Sequence, residues 1–393
     1  MKKIRMGMVG GGQGAFIGAV HRIAAFMDGD IELVCGAFSA DKQRSLSSGQ
    51  ALYLPEERCY ASYDEMFKRE ALLPETERME FVVIVTPNHL HFPVAMSAIE
   101  HGFHVLSDKP ATLNLPQALS LKSALAQRHV LYGLTHTYSG YPLVKQAKHL
   151  VAQGELGNVV KVVVEYSQGW LASKDDEVSK QASWRLDPET AGASCCMGDI
   201  GVHAANLAEY VSGLEITQLC ADLTSTVSGR VLDDDGTVML KFSNSAKGVL
   251  LASQISLGDE NNIRLRIYGD KKSIEWSQLE PNTLWLKSHN EPTQQIRTGV
   301  GDMCEAAQQA MRTPAGHPEG YLEAFANIYQ NFARQIKAHR NGEVADNKTF
   351  DVPGIDEAIR GMAFIENVVG ASQSALKWHN MIIESEGGHY DAN

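Results

Sequence analysis

Three short stretches of this 393-residue chain carry residue types that a folded core does not need. The first is Gly10-Gly11-Gly12-Gln13-Gly14-Ala15, directly after the apolar run Ile4 to Val9. It fits Gly-x-Gly-x-x-(Gly/Ala), with Gly10, Gly12 and Ala15 in the three places and Gly14 between them. The first glycine permits a tight turn, the second lets a pyrophosphate approach the backbone, and a small third residue lets the next helix pack on the strand. The N-terminus of that helix then faces the phosphates. Because the turn follows an expected strand, the chemistry it implies is dinucleotide binding. A glycine-rich loop without a ligand is the bland alternative. Phe16-Ile17-Gly18 makes the turn longer than usual.

The second stretch comprises two strand ends. Thr86-Pro87-Asn88-His89-Leu90-His91 follows Phe81 to Val85, and Ser107-Asp108-Lys109-Pro110 follows His104 to Leu106. Lys109, beside a proline-fixed turn, is a poor core residue and a good site residue. His91 belongs either beside a cofactor or at the cap of the next helix. The third stretch is Gly198-Asp199-Ile200-Gly201-Val202-His203. Asp199 and His203 are four apart, so on a helix they share one face. Imidazole titrates near neutral pH, which makes His203 a candidate base. In the bland reading Asp199 caps the helix from Asp199 to Val211 and His203 packs, and the two readings are compatible.

The elements that must hold these residues fall into two groups. Up to about residue 135, Ile4 to Val9, Ile31 to Phe38, Phe81 to Val85, His104 to Leu106 and Val130 to Leu134 read as strands. Pro93 to His101 and Pro116 to Gln127 read as helices between them. This alternation implies an α/β unit with a doubly wound parallel sheet over residues 1–137, whose ligands bind beyond the carboxyl ends of the strands. From about residue 158, strands are expected at Val159 to Glu165, Ile216 to Val227, Thr237 to Phe242, Gly248 to Ser256, Ile263 to Tyr268, Ser273 to Trp276 and Thr283 to Leu286. Helices are expected at Tyr141 to Gln153, Asp199 to Val211, Tyr321 to His339 and Ile355 to Ser374. Residues 138–393 therefore read as an α+β domain with a mostly antiparallel open sheet, and Glu291 to Gly320 as its longest loop.

An acidic residue at the end of the second strand would favour NAD through the ribose 2′-hydroxyl. Here the strand ends Ala37-Phe38-Ser39-Ala40-Asp41-Lys42-Gln43-Arg44. Ser39 stands where that carboxylate would be, and Lys42 or Arg44 could meet a 2′-phosphate, which favours NADP. Asp41 serving NAD is the alternative, as is a turn of solvated charges.

Taken together, the strand, the glycine turn and the ends at Thr86-Pro87-Asn88 and Asp108-Lys109-Pro110 resemble the Gfo/Idh/MocA family of sugar and polyol oxidoreductases. So does Gly198 to His203, preceded by Trp184-Arg185-Leu186-Asp187-Pro188-Glu189. The resemblance runs from about residue 4 to 370. It implies an NAD(P)-dependent dehydrogenase acting on a CH–OH group, with Thr86, Pro87, Asn88, His91 and Asp108 beside the cofactor. It implies that Lys109 bridges the nicotinamide ribose and a substrate hydroxyl, while Asp199 binds a neighbouring hydroxyl and helps orient His203. Such a reaction needs a base and a donor for the developing oxyanion. Trp184 and Arg185 resemble a segment that reaches the substrate cleft, and an aromatic face with a guanidinium suits a sugar ring. Arg185 as a surface ion pair is the alternative. Tyr138, Trp170, His317 and Tyr321 are further candidates for the cleft wall, with a place in the core or at an interface as the alternative for each. The chain departs from the family pattern where Asp108 replaces Glu and where Asn206 stands in place of an aspartate.

Composition narrows the classes. With 35 Lys+Arg against 47 Asp+Glu the formal net charge is −12, which disfavours nucleic-acid and anionic-membrane partners. No apolar run approaches the roughly 20 residues of a membrane span. The six cysteines show no Cys-x-x-Cys pair, and no metal site is implied. Met1-Lys2-Lys3 mimics a signal n-region, but Gly10 to Gly14 and His21-Arg22 interrupt any apolar stretch, so a cytoplasmic protein is expected. The resemblance also implies a homo-oligomer, dimer or tetramer, through the exposed sheet face. The leading expectation is a dehydrogenase for a sugar, inositol or related polyol. A glycosidase that oxidises its sugar transiently and a non-catalytic dinucleotide-binding regulator are the alternatives; retention of both Lys109 and His203 argues against the regulator.

Overall fold

The computed structural model describes residues 2–174, 179–346 and 348–383. In it Phe81–Val85 is buried along its whole length, as five consecutive apolar residues require. Five strands, β1 (Ile4–Gly10), β2 (Ile31–Ala37), β3 (Phe81–Val85), β4 (His104–Ser107) and β5 (Tyr132–Leu134), form one sheet in the order β2-β1-β3-β4-β5. All four pairings are parallel. The crossovers contain α1 (Phe16–Phe26), α2 (Lys42–Ala51), α3 (Tyr63–Ala71), α4 (His91–Glu100) and α5 (Leu115–Gln127). Phe81 and Val83 join Met6, Met8 and Ala24 in one core, while Val82 and Ile84 join Cys35, Val94 and Val105 in another. This is the doubly wound parallel sheet that the alternation implied. Strand order reverses between β1 and β3, so the crevice beyond their carboxyl ends is the switch point where such sheets bind ligands.

The second sheet has nine strands. They are β6 (Val159–Ser167), β7 (Ile216–Thr224), β8 (Asp235–Phe242), β9 (Lys247–Ser253), β10 (Asn262–Gly269), β11 (Lys272–Ser277), β12 (Thr283–Ser288), β13 (Gln294–Arg297) and β14 (His379–Asn380). Their order is β13-β12-β11-β10-β6-β9-β8-β7-β14, antiparallel except for the β6–β9 pair. One face packs on α6 (Pro142–Ala152), α9 (Val202–Ser212) and α12 (Ile355–Ser372), through Val164, Leu240 and Leu265 against Val144, Leu207 and Met362. Along β8 and β10 buried residues alternate with exposed or half-buried ones, so the other face is open.

Two short helices, α7 (Lys180–Arg185) and α8 (Pro188–Ala191), carry the segment before Asp199. The expected loop Glu291 to Gly320 instead contains the polar edge strand β13 and α10 (Glu305–Gln309), neither with an apolar period to announce it. The strand expected to reach Val227 stops at Thr224, because the Thr226 and Val227 amides donate to the Asp234 carboxylate rather than to a ladder. Helix α11 (Tyr321–Arg340) crosses back to the first sheet. Its Phe325, Tyr329, Phe332 and Ile336 share a core with Ile4, Met6 and Met8. Among the described residues no helix is long and apolar enough to cross a membrane.

Candidate active site

The glycine turn lies at the carboxyl end of β1 and opens α1. A side chain at Gly12 would meet the Phe38 carbonyl and Ser48 Oγ at 2.8 Å, so β2 and α2 approach it as closely as backbone permits. A Cβ on Gly18 would lie 2.4 Å from Gly11 Cα. The close helix-to-strand packing expected of Ala15 is therefore made by Gly18, inside α1, and Ala15 is the residue just before the helix. This accounts for the extra length of the turn. Arg22 Nη1 donates to the Gly11 carbonyl at 2.8 Å and pins the turn from the helix side.

At the end of β2, Asp41 caps α2: its carboxylate accepts the Arg44 amide at 2.7 Å, while Ser39 Oγ accepts the Asp41 amide at 3.1 Å. Asp41 thus caps the helix with one carboxylate oxygen, and Arg44 is exposed on its first turn.

Beyond β3, Thr86 Oγ1 is buried and has no hydrogen-bond partner among the described residues. Asn88 Nδ2 donates to the Ala191 carbonyl at 2.9 Å and joins this strand end to α8. His91 opens α4 with its ring nitrogens 2.6 and 2.8 Å from the Pro110 and Thr86 carbonyls. It therefore ties the ends of β3 and β4 together rather than offering a nitrogen to a ligand. Pro87 precedes the short turn at Asn88–Leu90.

Asp108 and Lys109 sit beyond β4, and the Lys109–Pro110 bond is cis. Asp108 Oδ1 accepts the Lys109 amide and Thr135 Oγ1, each at 2.9 Å, and Oδ2 lies 3.8 Å from His21 Nε2. The aspartate thus hydrogen-bonds the lysine through its backbone amide. Burial raises the Asp108 pKa, but His21 and Lys109 outweigh it and hold the carboxyl well below the usual range. His21 is fully buried on α1, and its Nδ1 is 2.6 Å from Tyr329 Oη on α11.

Lys109 Nζ donates to both the backbone carbonyl and Oδ1 of Asp199, at 2.7 Å each. Asp199 lies in a π-helical turn, Met197–Gly201, immediately before α9. There the Val202 amide bonds the Met197 carbonyl five residues back, a wider turn than the α-helix expected from Asp199 onward. Asp199 Oδ2 receives Gln254 Nε2 at 3.0 Å and faces Arg185 Nε at 3.1 Å. Against the burial penalty, Arg185 and Lys109 hold its pKa far down, so it is a carboxylate. The Arg185 guanidinium stacks 4.2 Å over Trp184 and 5.9 Å from the Trp170 ring. The structure thus brings Lys109, Asp199, Arg185 and Trp184 together.

His203, on the first turn of α9, is buried among Tyr138, Tyr166 and His136. Its hydrogen-bond partner is His136, with Nδ1 to Nδ1 at 3.4 Å, and not Asp199. Burial, then the Lys109 charge, drive its pKa well below the usual histidine value, so it is neutral. Tyr321 feels the charges of both Asp108 and Asp199, whereas His317 lies on an exposed turn, bonded to Pro314. Asn206 lines a cleft with Glu209, Tyr210 and Arg360 behind α9.

Sequence reasoning passed over His21, His136, Asp233 and Gln254. Asp233 accepts the Cys195 and Met197 amides at 3.0 and 2.9 Å and Ser194 Oγ at 2.9 Å, and so holds the chain entering the π-turn. Its only signal was the acidic run Asp233-Asp234-Asp235. His136 was visible as a histidine just past the last parallel strand, where ligands bind. Among the described residues, no cluster of His, Cys, Asp or Glu is arranged to hold a metal ion.

A glycine turn at the switch point of a parallel sheet, and a lysine beyond the fourth strand of that sheet that meets a carboxylate near a neutral histidine of a second domain, define a dinucleotide-dependent oxidoreductase. Residues 4–136 match the oxidoreductase family's NAD-binding Rossmann fold, and residues 144–275 match the Gfo/Idh/MocA C-terminal domain. The chain belongs to the Gfo/Idh/MocA oxidoreductase family. It is 34% identical over 386 residues to an uncharacterized oxidoreductase, YfiI, of Bacillus subtilis (strain 168), covering 96% of each chain. A solved oxidoreductase from Sinorhizobium meliloti is 42% identical, with a TM-score of 0.87 and coverage of 96% of this chain and 100% of that one. An inositol dehydrogenase homologue from Azotobacter vinelandii, solved with NADH and myo-inositol, is 30% identical. Its TM-score is 0.89, with coverage of 96% and 98%.

Proposed function

We propose that this enzyme oxidises a ring hydroxyl of inositol or a related cyclic polyol or sugar, reversibly, with His203 as base. The observation that carries the reading is Lys109 Nζ held 2.7 Å from Asp199, with neutral His203 one helical turn further on. The glycine turn, cut to backbone at Gly12, and the unpartnered Thr86 Oγ1 fit a dinucleotide at the switch point. A bound nicotinamide there would supply the hydride acceptor.

The remaining tasks fall to this chain's own side chains. A neutral imidazole can take the hydroxyl proton, and His203 is kept neutral by burial. An ammonium has three N–H donors; Lys109 spends two on Asp199 and keeps one for the developing alkoxide. A carboxylate has about four lone-pair sites, and Lys109, Gln254 and Arg185 face three of them on Asp199. The fourth, on Oδ1, suits a neighbouring substrate hydroxyl. Trp184 and Trp170, flanking Arg185, offer aromatic faces to the apolar side of a ring.

Ser39 in the place of a carboxylate and the exposed Arg44 favour a 2′-phosphate, and NADP is the cofactor we expect to be preferred. The similarity to an inositol dehydrogenase homologue solved with myo-inositol supports the polyol class. The open face of the second sheet is where we expect a second copy of the chain to pair, and light scattering on the purified protein measures that.

The test is a panel of inositols, aldoses and anhydrosugars with NAD or NADP, followed by reduced-nicotinamide absorbance and ketone formation. Reduced cofactor accumulating in step with ketone supports the dehydrogenase. Cleavage of a glycoside without net cofactor reduction would replace it with the redox-cycling glycosidase.

A further inference from the structure

We propose that His136 is a positioning residue for His203: its unprotonated Nδ1 accepts the His203 Nδ1–H and thereby leaves His203 Nε2 as the basic nitrogen. The inference rests on the reading of His203 as the base and deepens it. The two Nδ1 atoms are 3.4 Å apart, the rings meet edge-on at 80°, and both histidines are buried. Two nitrogens that face each other need one proton between them. If His136 carried it, His203 would hold its own proton on Nε2 and present a donor to the substrate where a base is needed. Proton uptake at Nε2 makes His203 an imidazolium, whose Nδ1–H must then point at a lone pair. Only a His136 that is unprotonated at Nδ1 provides one.

The surroundings agree. The groups facing His136 are Lys109, Asp108 and His203, and burial with the Lys109 charge pulls its pKa down to about 3. Those facing His203 are Lys109, His136, Asp199, Asp108 and the phenols of Tyr138 and Tyr166. The phenols bond each other, and Tyr138 and Tyr166 also bond Asn261. His136 Nε2 has no partner among the described residues, so neither neutral form of the ring breaks a hydrogen bond of the fold at that nitrogen. Asp199, the expected orienter of His203, is taken up by Lys109, Gln254 and Arg185. The partner that fixes the tautomer of a working histidine is usually a carboxylate or carbonyl; here a second histidine stands in that place.

The direct test is ¹⁵N NMR of histidine-labelled full-length protein, with the His203 ring assigned by its loss in His203→Asn. The expected pattern is a protonated Nδ1 and a bare Nε2; the opposite tautomer overturns the proposal. In kinetics, His136→Leu should lower kcat by about 10–100-fold, the scale seen when a working histidine loses its outer partner, with much less change in KM. His136→Asn, whose amide oxygen occupies the place of Nδ1, should recover most of the loss. Equal losses in the Leu and Asn variants, or full kcat in His136→Leu, reject the positioning role. If His203→Asn keeps normal turnover, the base reading itself fails; if it is inactive while wild-type Nε2 carries the proton, only the His136 inference fails. The wild-type spectrum decides the tautomer even where a His136 variant does not fold.

Discussion

Replacing Asp199 by Asn removes a carboxylate that faces two cations, Lys109 Nζ at 2.7 Å and Arg185 Nε at 3.1 Å. At an effective dielectric of about 20, the Lys109 pair alone represents roughly 6 kcal/mol before desolvation is subtracted. Measured losses on removing one partner of a buried pair are about 3–5 kcal/mol. The Lys109 and Asp199 side chains keep 13% and 15% exposure, and an asparagine oxygen still accepts one of the hydrogen bonds. The expected loss therefore sits below that range, at about 2–3 kcal/mol. With an unfolding entropy of roughly 2.1 cal/mol/K per residue across the chain, this lowers the thermal midpoint by about 3 °C. The sign of the pH dependence follows from the depressed pKa of Asp199. Its contribution is complete above the unfolded carboxyl value near about 3.9 and is lost as pH falls below that toward the folded value. The gap between wild type and D199N should hold constant from about pH 8 to pH 5 and narrow only below about pH 4. Scanning calorimetry across pH measures it, and kcat/KM should fall about 100-fold as Lys109 loses its anchor. Equal midpoints at neutral pH, or a gap that closes between about pH 8 and 5, would show that the Asp199 charge is not what the contact contributes.

Four further outcomes are expected. His203→Asn should lower kcat by about 10²–10⁴ with the fold intact by circular dichroism; because burial holds His203 neutral, the acid limb of wild-type kcat/KM should lie clearly below about pH 6.5. Ser39→Asp should shift the ratio of kcat/KM values toward NAD by about tenfold or more, since a carboxylate there accepts the 2′-hydroxyl and repels a 2′-phosphate; an unchanged ratio would remove Ser39 from cofactor selection. Gly18→Ala forces its methyl group against Gly11 and should cost about 1–3 kcal/mol and weaken dinucleotide binding, measurable by calorimetry and titration.

The parallel sheet was legible because each strand carries its own evidence. Phe81 to Val85 is apolar on both faces, and the polar residues that a buried sheet cannot use collect at its ends, at Thr86 and at Asp108-Lys109. The glycine turn was legible as a turn, but its close-packing residue was not. Gly18 lies within α1, and only the crossing of helix and strand shows that it meets Gly11. Likewise Asp199 and His203 were legible as a pair four apart, whereas the π-turn that carries Asp199 toward Lys109 has no signature in local spacing. His21 registered only as an interruption of an apolar stretch, because its partners Asp108 and Tyr329 lie on β4's end and α11. His91 read equally well as ligand or cap, and its two backbone carbonyls are supplied by turns that local periodicity does not place together.

By itself, then, the order of residues determined the strands and helices that carry a clear apolar period, where the dinucleotide turn lies, and which lysine, aspartate and histidine are chemically out of place in a core. Those features are set within windows of a few residues, by side-chain period and by the φ values that glycine and proline allow. The tertiary structure alone decided who partners whom. Lys109 meets Asp199 across 90 residues, His136 meets His203 across 67, and His21 meets Tyr329 across 308. Such contacts depend on how two sheets and the returning helix α11 dock, and docking is governed by the summed burial of whole faces rather than by any local sequence signal.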